Sequence, residues 1–160
     1  MPMLQRISPC LWFESNAEEA VNFYLTVFQS GRIVETLRYG EGAAQPKGTV
    51  LTIAFELNGH PFIALNGGPH HTFNDAISLH VACADQEELD HIWSGLIAGG
   101  GKPVQCGWCK DKFGVSWQVV PVQLQDMMQA GDRTRADRVM QALLKMVKLD
   151  LAGLQKAYDG

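Results

Sequence analysis

The sequence has little of what marks membrane, secreted or nucleic-acid-binding proteins. No apolar run approaches the length of a bilayer span, and the first residues lack the apolar core of a signal peptide. Lys and Arg number 13 against 17 Asp and Glu, and the resulting formal net charge of -4 argues against a nucleic-acid-binding surface. Only four cysteines occur, which without a secretory signal favours reduced thiols. We therefore expect one cytoplasmic domain over residues 1–160.

Two of the cysteines, Cys106 and Cys109, have the spacing of a redox pair. In thioredoxin-like proteins the first thiolate sits at a helix N-terminus, which lowers its pKa. Here the segment runs into a turn and a strand, and the chain has no second cysteine pair to complete a zinc site. Buried or half-buried structural thiols are the favoured interpretation.

The first part of the chain alternates strand and helix patterns. Ser15 to Glu18 has the spacing of a capping box, and the apolar residues that follow predict a helix ending at Ser30-Gly31. Asn58-Gly59 is a strong hairpin signal between two strands. Strands are predicted at 7–13, 32–39, 49–57 and 61–65.

The same plan then repeats. Glu18-Glu19 aligns with Glu87-Glu88, and Gly31 aligns with Gly100, at one constant offset, which indicates an internal duplication. Asp85 to Glu88 repeats the capping-box chemistry before a second helical stripe. Strands are predicted at 77–83, 102–105, 108–110 and 115–120, with a turn at 111–114. Each unit is thus strand, helix and three strands.

The tail differs from both units. Residues 133–147 carry a broad apolar helical face, and a last short helix is predicted to end near Tyr158. We expect these tail helices, within 132–159, to cover a sheet or to seal a subunit contact.

Several motifs make the comparison with a known family specific. They are Pro9-Cys-Leu-Trp-Phe13, Ala17-Glu-Glu-Ala20 with Phe23-Tyr24, Leu65-Asn-Gly-Gly-Pro69, Cys106-Gly-Trp108 and Phe113-Gly-Val-Ser-Trp-Gln-Val-Val-Pro121. Together they resemble the PhnB-like branch of the vicinal oxygen chelate superfamily, which contains the glyoxalase and bleomycin-resistance folds. Members of this branch are often named 3-demethylubiquinone-9 3-methyltransferase.

The resemblance extends over nearly the whole chain, including the tail helix, and implies an α+β fold. Two tandem βαβββ modules, at 5–67 and 76–121, would form a cupped mixed sheet, with C-terminal helices added. It also implies a homodimer that binds a small organic molecule.

The positions that bind metal in relatives hold poor ligands in this sequence. Counting along each module places Pro9, Ala64, Ser78 and Gln118 there, and none of these is a good metal ligand. We therefore expect no intrinsic metal and no cofactor. A displaced site near His80 would instead give a metal-dependent lyase, isomerase or dioxygenase-type enzyme, and this alternative stays open.

Methyl transfer is disfavoured by the glycine pattern. A methyl donor such as S-adenosylmethionine normally binds where a glycine-rich turn joins a strand to a helix. The glycines in Asn66–Pro69 and at 99–101 open no helix, and they indicate loops instead.

The alternation of the strands gives a candidate ligand site. The residues predicted to face inward are Leu11, Phe13, Phe62, Asn66, Ser78, His80, Ser116 and Gln118, with Trp108 near the mouth. Apolar walls with a few convergent polar groups are typical of small-molecule sites, and His80 is a candidate general acid or base. Trp12 and Trp117 are predicted to lie in the core under the helices.

Three interpretations of these residues remain. The polar groups could satisfy one another inside a closed core. They could line a catalytic site whose reaction is unassigned. They could also belong to a non-catalytic dimeric drug-binding protein of the resistance kind.

Overall fold

The structure, a computed structural model, describes residues 7–160, so the predicted start of the first module at residue 5 lies outside the described residues. The chain divides into two compact units, Met1–Thr72 and Phe73–Gly160. Each unit contains one strand, one helix and three further strands in that order, and the second unit adds three helices. The predicted α+β class and the two βαβββ modules are confirmed.

The first unit folds as one four-stranded mixed sheet with one helix. Its elements are β1 (Cys10–Phe13), α1 (Ala17–Phe28), β2 (Gly31–Arg38), β3 (Val50–Leu57) and β4 (His60–Asn66). The strand order is β1-β4-β3-β2, with β1 parallel to β4 and the other neighbours antiparallel. Strand β2 therefore lies at one edge of this sheet.

The N-terminus of α1 is capped from outside the helix. The predicted capping box at Ser15 to Glu18 is wrong, because the N-cap residue Asn16 makes no side-chain capping bond. Instead, the backbone N–H of Ala17 donates to Asn66 Oδ1 at 2.8 Å. The amide of Asn66 also donates to the carbonyl of Val50 at 3.0 Å, so this one side chain joins the helix start to two strands.

One turn of the first unit has glycine at a position with positive φ, as predicted, and another does not. Asn58 and Gly59 have φ angles of 49° and 79°, as the predicted tight hairpin between β3 and β4 requires. At the end of α1, the left-handed residue is Gln29 and not the predicted glycine. Gly31 instead begins β2, where a Cβ would collide with the carbonyl of Glu56.

An aromatic stack fixes α1 on its sheet. The ring of Tyr24 on α1 stacks on Phe55 with centroids 6.5 Å apart, and Phe55 stacks on Phe62 at 5.4 Å. Ala20 and Ala64 are fully buried beside this stack. The core of the first unit therefore lies between α1 and the face of the sheet that carries Phe55.

The second unit repeats this arrangement. Its elements are β5 (Leu79–Cys83), α2 (Gln86–Ile97), β6 (Lys102–Pro103), β7 (Trp108–Lys110) and β8 (Ser116–Pro121). The sheet order is β5-β8-β7-β6, with β5 parallel to β8. Both helices have 12 residues, and their starts (17 and 86) and ends (28 and 97) are each 69 positions apart, which confirms the duplication.

The second helix carries the capping box that the first lacks. Asp85 accepts a hydrogen bond from the backbone N–H of Glu88 at 2.8 Å, and Glu88 accepts one from the N–H of Ala84 at 2.6 Å. The bond to Asp85 confirms the predicted cap of the second module, while the bond to Glu88 comes from the residue before the N-cap.

Three helices complete the second unit: α3 (Gln123–Gln129), which the sequence did not predict, α4 (Arg133–Leu143) and α5 (Leu151–Asp159). Helix α4 ends before the predicted residue 147. The carbonyls of Met146 and Val147 then accept hydrogen bonds from the N–H groups of Cys106 and Gly107, each at 2.8 Å. The tail is thus bonded to the β6–β7 connection. None of the helices in residues 7–160 has the length and apolar character needed to cross a bilayer.

Candidate functional site

The two faces of the second sheet differ sharply in chemistry. Cys83, Cys109, Trp117 and Val119 are almost fully buried on the side of the sheet where α2 packs. Strand alternation places the neighbouring residues on the other side. We call that side the polar face after Ser78, His80, Trp108, Lys110, Ser116 and Gln118. Ala82, Lys102 and Val120 share the same side.

Three residues of the polar face lie in one row across three strands. Gln118 on the central strand β8 pairs in register with Trp108 on β7 and with His80 on β5. Gln118 Nε2 donates to Ser78 Oγ at 2.9 Å, and both residues are half-buried. His80 is exposed. The row places an indole, an amide and an imidazole side by side.

A second row adds the charge of the site. Lys110 on β7 pairs in register with Ser116 on β8. Asp75, which precedes β5, meets both: Lys110 Nζ lies 2.7 Å from Asp75 Oδ1, and Ser116 Oγ donates to the same oxygen at 3.1 Å. The hydrogen bond from Lys110, followed by that from Ser116, lowers the pKa of Asp75. The carboxylate is therefore ionised at neutral pH.

The turn between β7 and β8 is built around a buried carboxylate. Asp111 Oδ1 accepts hydrogen bonds from the N–H groups of Phe113 and Val115, and Oδ2 accepts one from Trp117 Nε1 at 2.9 Å. Gly114 completes the turn with a φ of 91°. The sequence predicted this turn but missed the carboxylate, although an aspartate opening a turn is the known signal for such bonds.

The predicted orientation of the first-unit residues is wrong. Phe62 belongs to the stack beneath α1, and Leu11, Phe13 and Asn66 are buried. Register pairs Leu11 with Ala64 and Phe13 with Asn66, which caps α1. These four residues share one face, as predicted, but it is the face that α1 covers, because strand periodicity does not say which of its two alternating sets the helix covers.

The same exchange of faces applies to Trp12 but not to Trp117. Trp117 is 2% exposed and lies in the core, as predicted. Trp12 is half-buried on the side of its sheet away from α1. Its Nε1 donates to the carbonyl of Gly68 at 2.9 Å, and its ring meets His71 edge to face at 4.7 Å.

Two of the four thiols, Cys83 and Cys109, have the properties of core residues. All four cysteines are free. Burial raises the pKa of Cys109 to about 12, and the carboxylate of Asp111 adds to the rise. A thiol with that pKa is protonated at neutral pH and is a poor nucleophile. Among residues 7–160, no three His, Cys, Asp or Glu side chains are grouped so that they could hold a metal ion.

Sequence comparison places these modules in a family. The family model of 3-demethylubiquinone-9 3-methyltransferase matches residues 5–120. A PhnB protein from Bacillus cereus with the same methyltransferase name is 37% identical, covers 73% of this chain and 99% of its own, and superposes with a TM-score of 0.67. The chain belongs to this family.

The family assignment confirms the PhnB-like resemblance and also corrects its extent. The matched region stops at residue 120, so the helical tail is not part of it, contrary to the expectation of a match over nearly the whole chain. A protein from Pseudomonas aeruginosa (19% identity, 73% of this chain and 97% of its own, TM-score 0.62) has the same fold. No curated protein matches the sequence.

Proposed function

We propose that the polar face of the second sheet binds a small organic molecule. The observation that carries this proposal is the row of Trp108, Gln118 and His80 across β7, β8 and β5. An indole offers a flat apolar surface, while an amide and an imidazole offer directional hydrogen bonds. This mixture is typical of small-molecule sites.

Gln118 is the residue that gives the row its specificity. Its Nε2 donates a hydrogen bond to Ser78 Oγ, whereas no residue in the part of the chain that the structure describes donates one to its Oε1. Since Gln123 Oε1 is the one buried side-chain N or O atom without a partner among residues 7–160, this oxygen of Gln118 is open to solvent. A hydroxyl or N–H group of a ligand would satisfy it.

Metal-free binding is part of the proposal. Ser78 and Gln118 are hydrogen-bonded to each other, and both are neutral side chains that bind divalent metals poorly. The alternative, a metal-dependent lyase, isomerase or dioxygenase-type enzyme, would have to use His80. Metal analysis of the purified protein separates the two, since stoichiometric zinc, nickel or iron would favour the alternative.

Methyl transfer, which the family name specifies, is not included in the proposal. Neither α1 nor α2 begins at a glycine-rich turn: α1 follows Asn16 and α2 follows Asp85. The glycines at 67–68 follow β4, and those at 99–101 follow α2. A nucleotide-like methyl donor would therefore lack its usual cradle of backbone N–H groups.

His80 is proposed as the general acid or base if the bound molecule is transformed. It is exposed and adjacent to Gln118, so a ligand held by the amide would lie within its reach. A non-catalytic drug-binding protein would use the same row without His80 chemistry. His80→Asn, which keeps a hydrogen-bonding side chain, should then alter binding only slightly, whereas loss of turnover with retained binding would indicate catalysis.

A fragment screen tests the binding proposal. Aromatic fragments bearing hydroxyl or amide groups should bind the wild-type protein, and Gln118→Leu should weaken those fragments about tenfold through the loss of one hydrogen bond to a half-buried amide. Gln155→Leu, at an exposed position of α5, is the matched control. Equal affinities for wild-type and Gln118→Leu would remove the proposed role of the row.

Dimer formation is proposed through the edge strand β2. All eight of its residues are exposed, including Ile33, Val34 and Leu37, and apolar side chains on an unpaired edge favour association. Val34→Lys should shift the protein to a smaller species in light scattering. An unchanged mass would place the contact elsewhere or show a monomer.

Cellular location and domain organisation are also proposals. Four free cysteines, including the exposed Cys10, are in keeping with a reducing cytoplasm. A single cooperative unfolding transition would support one domain over residues 1–160, while two separate transitions would show two independent domains.

A further inference from the structure

We infer that the ligand of the polar face carries a carboxylate, which takes the place of Asp75 between Lys110 and Ser116. This inference rests on the proposed binding function and names the ligand's chemical class.

The carboxylate of Asp75 already shows how such a group would be held. Its Oδ1 lies 2.7 Å from Lys110 Nζ and 3.1 Å from Ser116 Oγ. Lys110 and Ser116 are paired across β7 and β8, so the sheet fixes the backbone positions of both donors. Ser116 is 2% exposed, which leaves its hydroxyl few other partners. The two donors therefore form a built site for one carboxylate oxygen.

The resident carboxylate is much less firmly held than the donors. The Asp75 side chain is 65% exposed against 37% for Lys110. Asp75 lies in the connection before β5, outside any helix or strand. Exposed ion pairs contribute little to stability, so exchanging Asp75 for a ligand carboxylate costs little. Lys102 on β6 pairs in register with Lys110 and adds a second positive charge to the same side of the sheet.

The neighbouring row decides which carboxylates fit. Trp108 precedes Lys110 by two positions on β7 and so lies on the same face, beside Gln118. A ligand whose carboxylate meets Lys110 would place its ring or chain against the indole. The inferred ligand is thus an aromatic or similarly flat carboxylic acid.

Benzoate and benzamide are the probes for this inference, because they have the same size and differ in charge. Both are titrated against the full-length protein and followed by the backbone resonances of β7 and β8. Benzoate should bind the wild type at least several-fold more tightly than benzamide. Lys110→Met should weaken benzoate about tenfold and leave benzamide unchanged, whereas Asp75→Asn should tighten benzoate by removing its competitor.

Two control variants distinguish the effect of the charge at Lys110 from the effect of changing the net charge of the protein. Lys148→Met removes a lysine whose ion pair with Asp90 is equally short, 2.6 Å, in the same unit. Lys47→Met removes a lysine of the first unit, which forms an ion pair with Glu41 at 2.7 Å. Neither should change benzoate binding. A thermal melt of each variant checks that it is folded.

The outcomes separate this inference from the binding proposal. If benzamide binds the polar face as well as benzoate does, or if Lys110→Met leaves benzoate unchanged, the carboxylate assignment is wrong while binding stands. If Lys148→Met weakens benzoate as much as Lys110→Met does, the effect is general electrostatics and the assignment is again wrong. If neither probe perturbs the polar face, both proposals are contradicted for this ligand class.

Discussion

Asn66 Oδ1 accepts the backbone N–H of Ala17 at 2.8 Å, across 49 residues of sequence, and thereby caps the first helix from the end of β4. The second helix is capped locally by Asp85. The free N–H groups at the helix start are therefore satisfied by a distant side chain in the first module and by a local one in the second.

Asn66→Ala should lower the free energy of unfolding by about 2–3 kcal/mol, because it leaves the buried N–H of Ala17 and the carbonyl of Val50 without partners. Urea unfolding measures the change. Asn22→Ala, on the exposed side of α1, is the control and should cost less than about 0.5 kcal/mol. Equal effects of the two variants would show that the long-range cap contributes nothing.

Asp111→Asn should destabilise the protein by about 2 kcal/mol. The carboxylate accepts from two backbone N–H groups and from Trp117 Nε1, and an amide would present a donor to one of them. Chemical denaturation tests this, with the exposed Asp137→Asn as the matched control. A midpoint for Asp111→Asn that coincides with the wild type would contradict the role given to this turn.

The ion pair at Asp75 predicts a pH dependence with a definite sign. The pKa of Asp75 is lowered from 3.8 in the folded chain, so its contribution to stability is present above 3.8 and is lost as pH falls through the lowered folded-state value. Asp75→Asn keeps an oxygen for Ser116 and removes only the charge. Its melting temperature should lie slightly below that of the wild type at pH 6, and the two should converge in acid. A gap that persists at the lowest pH would point to a cause other than the charge.

Thiol labelling should distinguish the cysteines. Burial raises the pKa of both Cys83 and Cys109 to about 12. Desolvation also raises the pKa of Cys10, but this thiol is exposed and accessible to reagent. At pH 8, iodoacetamide should modify Cys10 and leave Cys83 and Cys109 intact until the protein is unfolded. Peptide mass spectrometry identifies the labelled residues. Rapid modification of Cys109 in the native protein would revive the redox interpretation of the pair with Cys106.

The sequence predicted the order of the elements well because the signals for helices and turns are local. The Asn58-Gly59 turn and the cap at Asp85 involve residues that are neighbours in the chain. The cap by Asn66 could not be predicted in this way, since its partner is distant in sequence. The short helix α3 also lacked a recognisable pattern.

The strand faces of the candidate residues were predicted correctly in one module and wrongly in the other. In β5 and β8, the alternation placed His80 and Gln118 on one face, as the register shows. In β1 and β4, the same alternation placed Leu11 and Phe62 on the wrong face. Strand periodicity gives two alternating sets but does not say which one the helix covers. Lys110 and Asp75 were missed because their contact joins a strand to a loop.

The indole N–H signals of the four tryptophans test the central claim most directly. Trp93 and Trp117 are buried, Trp12 is on the first sheet, and Trp108 is on the polar face. When aromatic fragments are titrated into the labelled protein, the proposal predicts that the Trp108 signal shifts and that the others stay in place. A screen in which the Trp12 signal shifts while Trp108 does not would contradict it.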